Sequence, residues 1–226
     1  MINRAQRHGF KFEDKPFDVL MEEYPKCKSV NKWWSGLYQP VYSQYNIWRN
    51  KWLKEFLLEN PPKFMISSKC CDYAKKNVSH KYIKDNDIDC VATGIRRVEG
   101  GVRAVKYTNC FSEVCGGFDQ YRPLFWYKDE DEKEYIEVFG VENSDCYVVW
   151  GLSRTGCVGC PFAKDLWDEL VMIEKYEPKM YKAVCNVFKD SYAYTREYNE
   201  FCEKMEVTHG SYAGYLKATG KWVESK

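Results

Sequence analysis

The residues of this chain best suited to chemistry are four cysteines in two tight pairs, Cys70-Cys71 and Cys157-x-x-Cys160. Thiolates that converge on one small centre bind an iron–sulfur cluster or zinc. The adjacent pair weighs toward the cluster. Structural zinc draws each half-site from cysteines with a spacer between them, whereas neighbouring side chains diverge and suit different irons of a cubane. Gly156 and Gly159 provide the turns that Cys-x-x-Cys ligation requires, and Pro161 suits the first turn of a following helix. Lys75 lies one helical turn beyond Cys71, so its ammonium reaches a cluster edge, a nearby ligand anion or simply solvent; Lys69 and Lys76 are weaker candidates for the same role.

A second constellation is Thr93-Gly94-Ile95-Arg96 followed by Glu99 and Arg103, which sets guanidinium groups beside a glycine turn. Arginine gives paired, charge-assisted hydrogen bonds to phosphate or sulfate, and glycine lets the backbone approach an anion closely. The plainer reading of the same run is a turn at a strand end with solvated arginines. The other cysteines, Cys27, Cys90, Cys110, Cys115, Cys146, Cys185 and Cys202, are mostly isolated and read as small core or surface residues, although Cys110 and Cys115 are close enough in sequence to pair. Acidic Glu200 and Glu203 beside Cys202 would raise its pKa, which makes it a poor nucleophile. His8, His80 and His209 are too few and too scattered for a histidine metal site.

Around these residues the chain resembles the adenosine 5'-phosphosulfate and 3'-phosphoadenosine 5'-phosphosulfate reductase family, part of the wider group of PP-loop nucleotide enzymes. The resemblance rests on Ile66-Ser-Ser-Lys-Cys-Cys-Asp-Tyr-Ala-Lys75, Thr93-Gly-Ile-Arg-Arg-Val-Glu-Gly-Gly-Val-Arg103, Arg122-Pro-Leu-Phe-Trp126 and Gly156-Cys-Val-Gly-Cys-Pro-Phe162, four motifs in family order. In its cluster-bearing branch a Cys-Cys pair and a distant Cys-x-x-Cys hold a [4Fe–4S] cluster, so the resemblance implies Cys70, Cys71, Cys157 and Cys160 as ligands. It also implies that Arg96 and Arg103 contact the anionic part of an adenine nucleotide or sulfonucleotide and that Glu99 orients an arginine. Arg154, in Gly151-Leu-Ser-Arg-Thr-Gly-Cys157, would then meet a cluster sulfide or the bound phosphate.

Gly100 stands where the family commonly has Ser, which removes one hydroxyl donor. Two family elements have no counterpart: the Ser-Gly-Gly-Lys-Asp-Ser type loop that grips nucleotide phosphates, and the Cys-Gly-Ile/Leu-His tail that bears the nucleophilic cysteine. Met1 therefore reads as an entry into the middle of the family domain, and His209 lacks the preceding Cys-Gly.

Composition narrows the class. The 226 residues and 45% apolar content predict one globular domain with a real core, over residues 1–226. Lys and Arg total 34 against 33 Asp and Glu, so bulk charge indicates neither nucleic-acid nor membrane binding, and any anion site must be local. No apolar run has the length of a membrane span and the start lacks a signal-peptide core, so a soluble, cytoplasmic protein with reduced thiols is expected.

The elements that must position these residues follow from periodicity. Helices are predicted over Phe12–Tyr24, ended by Pro25, and over Tyr45–Leu58, where the stripe Trp48, Trp52, Phe56 reads as core rather than as a base-stacking surface. A further helix covers Cys70–Lys76, with Ser67 or Ser68 as cap. Strands are predicted at Ile88–Ala92, Val102–Tyr107 and Arg122–Tyr127, then a helix over Asp129–Phe139 and a local element at Tyr147–Trp150. Three helices close the chain, at Phe162–Tyr176, Pro178–Lys189 and Tyr194–Met205.

The fold expected is α/β, a partial adenine-nucleotide alpha-hydrolase-like (PP-loop) sheet with flanking helices, helix-rich at both ends. The function implied by the resemblance is a sulfonucleotide-reductase-like [4Fe–4S] protein, with zinc as the alternative metal and a thioredoxin-like reductant as partner. Two other readings stay open: a non-catalytic subunit that completes a split enzyme whose second chain carries the pyrophosphate loop, and ATP-dependent sulfur insertion into nucleic acid.

Overall fold

The computed structural model describes residues 1–40, 43, 45–100, 107–113, 117–152, 156–163 and 165–220. They form two compact units: the two ends of the chain, Met1–Ser67 with Thr155–Lys226, make a terminal unit, and Ser68–Arg154 make a central unit. The class is mixed α/β, rich in helix, with one small sheet.

The terminal unit opens with α1 (Ile2–Arg7), α2 (Phe17–Glu23), α3 (Lys28–Trp34) and α4 (Leu53–Glu59). The helix expected from Phe12 starts only at Phe17, because Pro16 holds an extended conformation and cannot continue a helix backward from its N-cap position. Leu20 of α2 is buried with Ala5, Val30, Trp34 and Leu57. Buried Asn31 donates from Nδ2 to the Leu20 and Tyr24 carbonyls at 3.1 Å each, which satisfies the open C-terminal end of α2. The long aromatic helix expected over Tyr45–Leu58 is interrupted. A 3₁₀ turn covers Ile47–Arg49, and Trp52 adopts the left-handed conformation (φ 54°) just before α4. Such a φ costs a bulky residue free energy, and it persists here because it points the indole into the core. Trp52 and Phe56 are both buried, so the stripe is core and the base-stacking alternative falls.

In the central unit, α5 (Lys69–Cys71) runs through a π turn (Asp72–Lys76) into α6 (Asn77–Asp85). The three-stranded sheet has the order β1-β3-β2. Strand β1 (Cys90–Ala92), expected from sequence, pairs in parallel with β3 (Asp119–Tyr121), and β2 (Phe111–Ser112) pairs antiparallel with β3. The strand expected at Arg122–Tyr127 is instead a turn, with Phe125 N–H donating to Arg122 at 3.1 Å and Tyr127 N–H to Leu124 at 3.0 Å. Pro123 could not have donated to a ladder. Residues 102–106 of the other expected strand lie outside the described residues. Helix α7 (Asp129–Phe139) forms where predicted: four acidic residues sit in its first turn, at the positive end of the helix dipole, and Gly140 closes it at φ 59°. The element at Tyr147–Trp150 is a short helix, α8 (Asp145–Val148).

The terminal unit resumes with α9 (Leu166–Tyr176), α10 (Pro178–Val187), α11 (Lys189–His209) and α12 (Tyr212–Ala218). Leu166, Leu170 and Ile173 share one face of α9 and pack with Val184 and Tyr192. The helix expected from Phe162 begins four residues later; Pro161 lies in the preceding turn rather than in the helix. The two ends of the chain meet through aromatic rings. Trp52 packs at 4.7 Å from Tyr212 and 4.8 Å from Tyr215, and Phe56 lies 5.1 Å from Tyr194 and 5.5 Å from Phe201. The Tyr194 hydroxyl donates to the Asn60 carbonyl at 2.7 Å, and that of Tyr198 to the Lys51 carbonyl. No described helix is long and apolar enough to cross a membrane.

Candidate functional site

The first cysteine pair opens the α5 turn. Ser68 stands at its N-cap without a side-chain capping bond, and its carbonyl accepts from Cys71 N–H at 3.0 Å. Cys70 is exposed and Cys71 half-buried. A π turn over Asp72–Lys76 follows, so Lys75 and Lys76 both lie on the turn that comes after Cys71. Lys76 bonds Asp72 at 2.7 Å, and that carboxylate first, with the nearby Cys71 sulfur adding, raises its pKa.

The second pair belongs to the terminal unit and is held by backbone bonds of its own turn. Cys160 N–H donates to the Cys157 carbonyl at 3.1 Å, and Ala163 N–H to the Cys160 carbonyl at 2.8 Å. Gly159 makes the bend at φ 60°, and a Cβ there would stand 2.6 Å from the Tyr192 hydroxyl oxygen and 2.9 Å from Val184. Only glycine fits this close seat on α10 and α11. Gly156, by contrast, has open space around it and a φ outside the left-handed region. The Tyr192 hydroxyl donates to the Gly159 carbonyl. Burial, with Cys185 and Cys160 adding, pushes Tyr192 up to about 12, so it remains a neutral donor.

All four cysteines are free thiols. Their donor set, four soft sulfurs in two pairs close in sequence, fits either an iron–sulfur cluster or zinc in chemical type. Among the described residues, no group of three or more His, Cys, Asp or Glu side chains comes together at one metal-sized centre.

The arginine run lies at the C-terminal end of β1. Thr93 N–H extends the sheet by donating to Tyr121 at 2.9 Å, while Thr93 Oγ1 is buried with no hydrogen-bond partner among the described residues. Glu99 accepts the Arg96 backbone N–H at 3.1 Å, so it orients this arginine through the main chain. The Arg96 guanidinium itself turns to the start of α7: it bonds the Lys128 carbonyl at 3.1 Å, Asp129 at 3.0 Å and Glu132 at 2.6 Å. An incoming anion would therefore meet a guanidinium already neutralised by two carboxylates. Arg97 lies over the Trp126 ring at 5.7 Å. Arg103 and Arg154 lie outside the described residues, as does Cys115.

Arg122 was legible only as part of a motif, yet it is a buried cation in the central unit, 1% exposed. Nε donates to the Asn109 carbonyl at 3.1 Å, Nη1 to Gln120 at 3.0 Å and Nη2 to Ser112 Oγ at 2.7 Å, while the guanidinium stacks 4.5 Å from the Tyr107 ring centroid. Its acceptors are neutral, so it acts as a clamp between β3 and the 107–112 segment rather than as an ion pair. Cys202 is half-buried, and burial raises its pKa, which works against a thiolate nucleophile there.

The acidic run at 129–132 signalled a helix start, but nothing in its spacing linked it to Arg96. Tyr192 carried no signal at all, since one tyrosine among 18 has no motif around it. No family model matches the chain, nor does any curated protein or solved structure.

Proposed function

We propose that this chain is a sulfonucleotide-reductase-like protein in which Cys70, Cys71, Cys157 and Cys160 hold a [4Fe–4S] cluster. The observation that carries this reading is the state of the two pairs: both are free thiols at ordered turns. The motif resemblance supplies the reason to join them in one site. Such a cluster, when bound, supplies an electron-accepting, polarising centre beside substrate. The chain's own residues do the rest. The β1 end presents Thr93 Oγ1, a buried hydroxyl in need of a partner, next to the Thr93–Glu99 turn, and an adenine nucleotide or sulfonucleotide would bring the acceptor oxygens that such a group needs. Arg96 would engage that anion by exchanging Asp129 and Glu132 for it. Arg103 and Arg154 are further candidates for the same anion.

Anaerobic purification should yield about four irons and matching labile sulfide per chain, and Cys71→Ser or Cys157→Ser should each lose them. Stoichiometric zinc without sulfide would assign the thiols to zinc instead. A second reading, a subunit completing a split PP-loop enzyme, is favoured by the sheet: among the described residues it has three short strands, so β1 offers an unpaired edge. Nucleotide binding that requires a second chain bearing the pyrophosphate loop would select this reading.

A further inference from the structure

We propose that Tyr192 is the positioning residue of the Cys157-x-x-Cys160 turn: it fixes the direction in which the Cys160 side chain leaves the backbone. This inference rests on the reading of the turn as half of a metal centre. The physical argument concerns one peptide unit. The carbonyl of Gly159 and the N–H of Cys160 belong to the same planar group, and a planar group held at both ends cannot rotate. Its oxygen accepts from the Tyr192 hydroxyl, and its N–H donates to the Cys157 carbonyl at 3.1 Å. The plane entering Cys160 is therefore set by Tyr192 on one side and by Cys157 on the other. The Cys160 carbonyl, which accepts from Ala163 N–H at 2.8 Å, holds the plane that leaves it, so the side chain between the two is fixed in direction.

Tyr192 is itself fixed. It is 7% exposed, and its ring packs 5.9 Å from Phe188 and 6.2 Å from Trp167. Its N–H continues the helical ladder to the Phe188 carbonyl at 2.8 Å. A buried tyrosine hydroxyl requires an acceptor, and the backbone oxygen between the two cysteines provides it. Gly159 leaves no slack, since even a methyl group at that position would collide with the hydroxyl and Val184. Ligands held from behind by a hydrogen bond keep the geometry a metal needs, and loss of such a bond commonly costs 10–100-fold in affinity.

The test compares Tyr192→Phe with Tyr198→Phe, which deletes the same kind of hydroxyl-to-carbonyl bond in the same unit but away from the turn. In the metal-free chain, Tyr192→Phe should speed hydrogen exchange of the Cys160 amide by about 10-fold, and after reconstitution with iron and sulfide it should speed iron loss to a chelator by about 10-fold. Tyr198→Phe should move neither. Equal behaviour of the two variants would overturn the proposal. If the parent chain takes up no cluster, the cluster reading falls and the Cys160 exchange rate alone decides on Tyr192. Should Tyr192→Phe fail to fold, Tyr192→Met, which fills the site without a donor, is put to the same two measurements and the same criterion.

Discussion

The two units of this chain hold their cysteines in different ways. The terminal unit has three buried apolar clusters and seats its Cys-x-x-Cys turn directly on helices α10 and α11. The central unit buries Phe125 and Arg122 among its described residues, while Tyr73, Tyr82, Tyr135 and Phe139 are exposed. Its cysteine pair rides on a helical turn that carries the local ion pair of Asp72 with Lys76. Burial of apolar area is the main source of folding free energy, so the terminal unit should be the stable frame and the central unit the part that gains most from a bound metal or nucleotide.

The sharpest way to break this comparison is to truncate a buried side chain of the terminal unit and an exposed apolar one of the central unit. Phe56→Ala should destabilise the terminal unit by about 3–5 kcal/mol, the usual cost of emptying an aromatic core site. Val138→Ala, at an exposed position of α7, should change stability by no more than about 0.5 kcal/mol. Denaturant titration of both variants reads the contrast, and similar losses would show that α7 is a core element.

Alkaline pH should load the terminal unit next. Burial raises the pKa of Tyr194, Tyr198 and Tyr212 above the ordinary phenol value. In the unfolded chain these phenols ionise near pH 10, before the buried ones do, so the unfolded state sheds protons first. Their contribution is complete below about pH 10 and is lost as pH climbs through the raised values. Denaturation midpoints measured from pH 8 to 12 should fall above pH 10, and Tyr194→Phe should blunt that fall.

Within the central unit, Arg122→Met should cost about 1–3 kcal/mol, because three acceptors lose their donor in a buried setting. Arg122→Lys should not restore it, since a point-like ammonium cannot serve three directions at once. Exchange protection of the β3 amides is the measurement; protection unchanged in Arg122→Met would remove the clamp.

The smallest effect is the most informative about ligands. Asp129→Asn combined with Glu132→Gln should free Arg96, lowering stability by less than about 1 kcal/mol and tightening ATP or adenosine phosphosulfate binding by about threefold. Weaker binding in that variant, by calorimetry, would mean that the carboxylates position Arg96 for the anion rather than compete with it.

What could be read directly was local in origin. Helix α7 was legible from its acidic start and apolar spacing, the start of α10 from Pro178, and the burial of Trp52 and Phe56 from their place in one stripe. Strands of two and three residues such as β2 and β3 leave no alternation to detect, and the short helices α1, α3 and α12 lie below the length at which periodicity speaks. Nor could spacing reveal the left-handed Trp52, which is held by rings from the far end of the chain, or the π turn over Asp72–Lys76. The cysteine pairs and the arginine turn are chemistry written in residue type, and the sequence alone sufficed to mark them. That Arg96 faces Asp129 and Glu132, and that Tyr192 holds the peptide between Cys157 and Cys160, were decided by tertiary structure. Both contacts join residues more than thirty positions apart, where neither helical nor strand period carries information and only packing brings a donor to its acceptor.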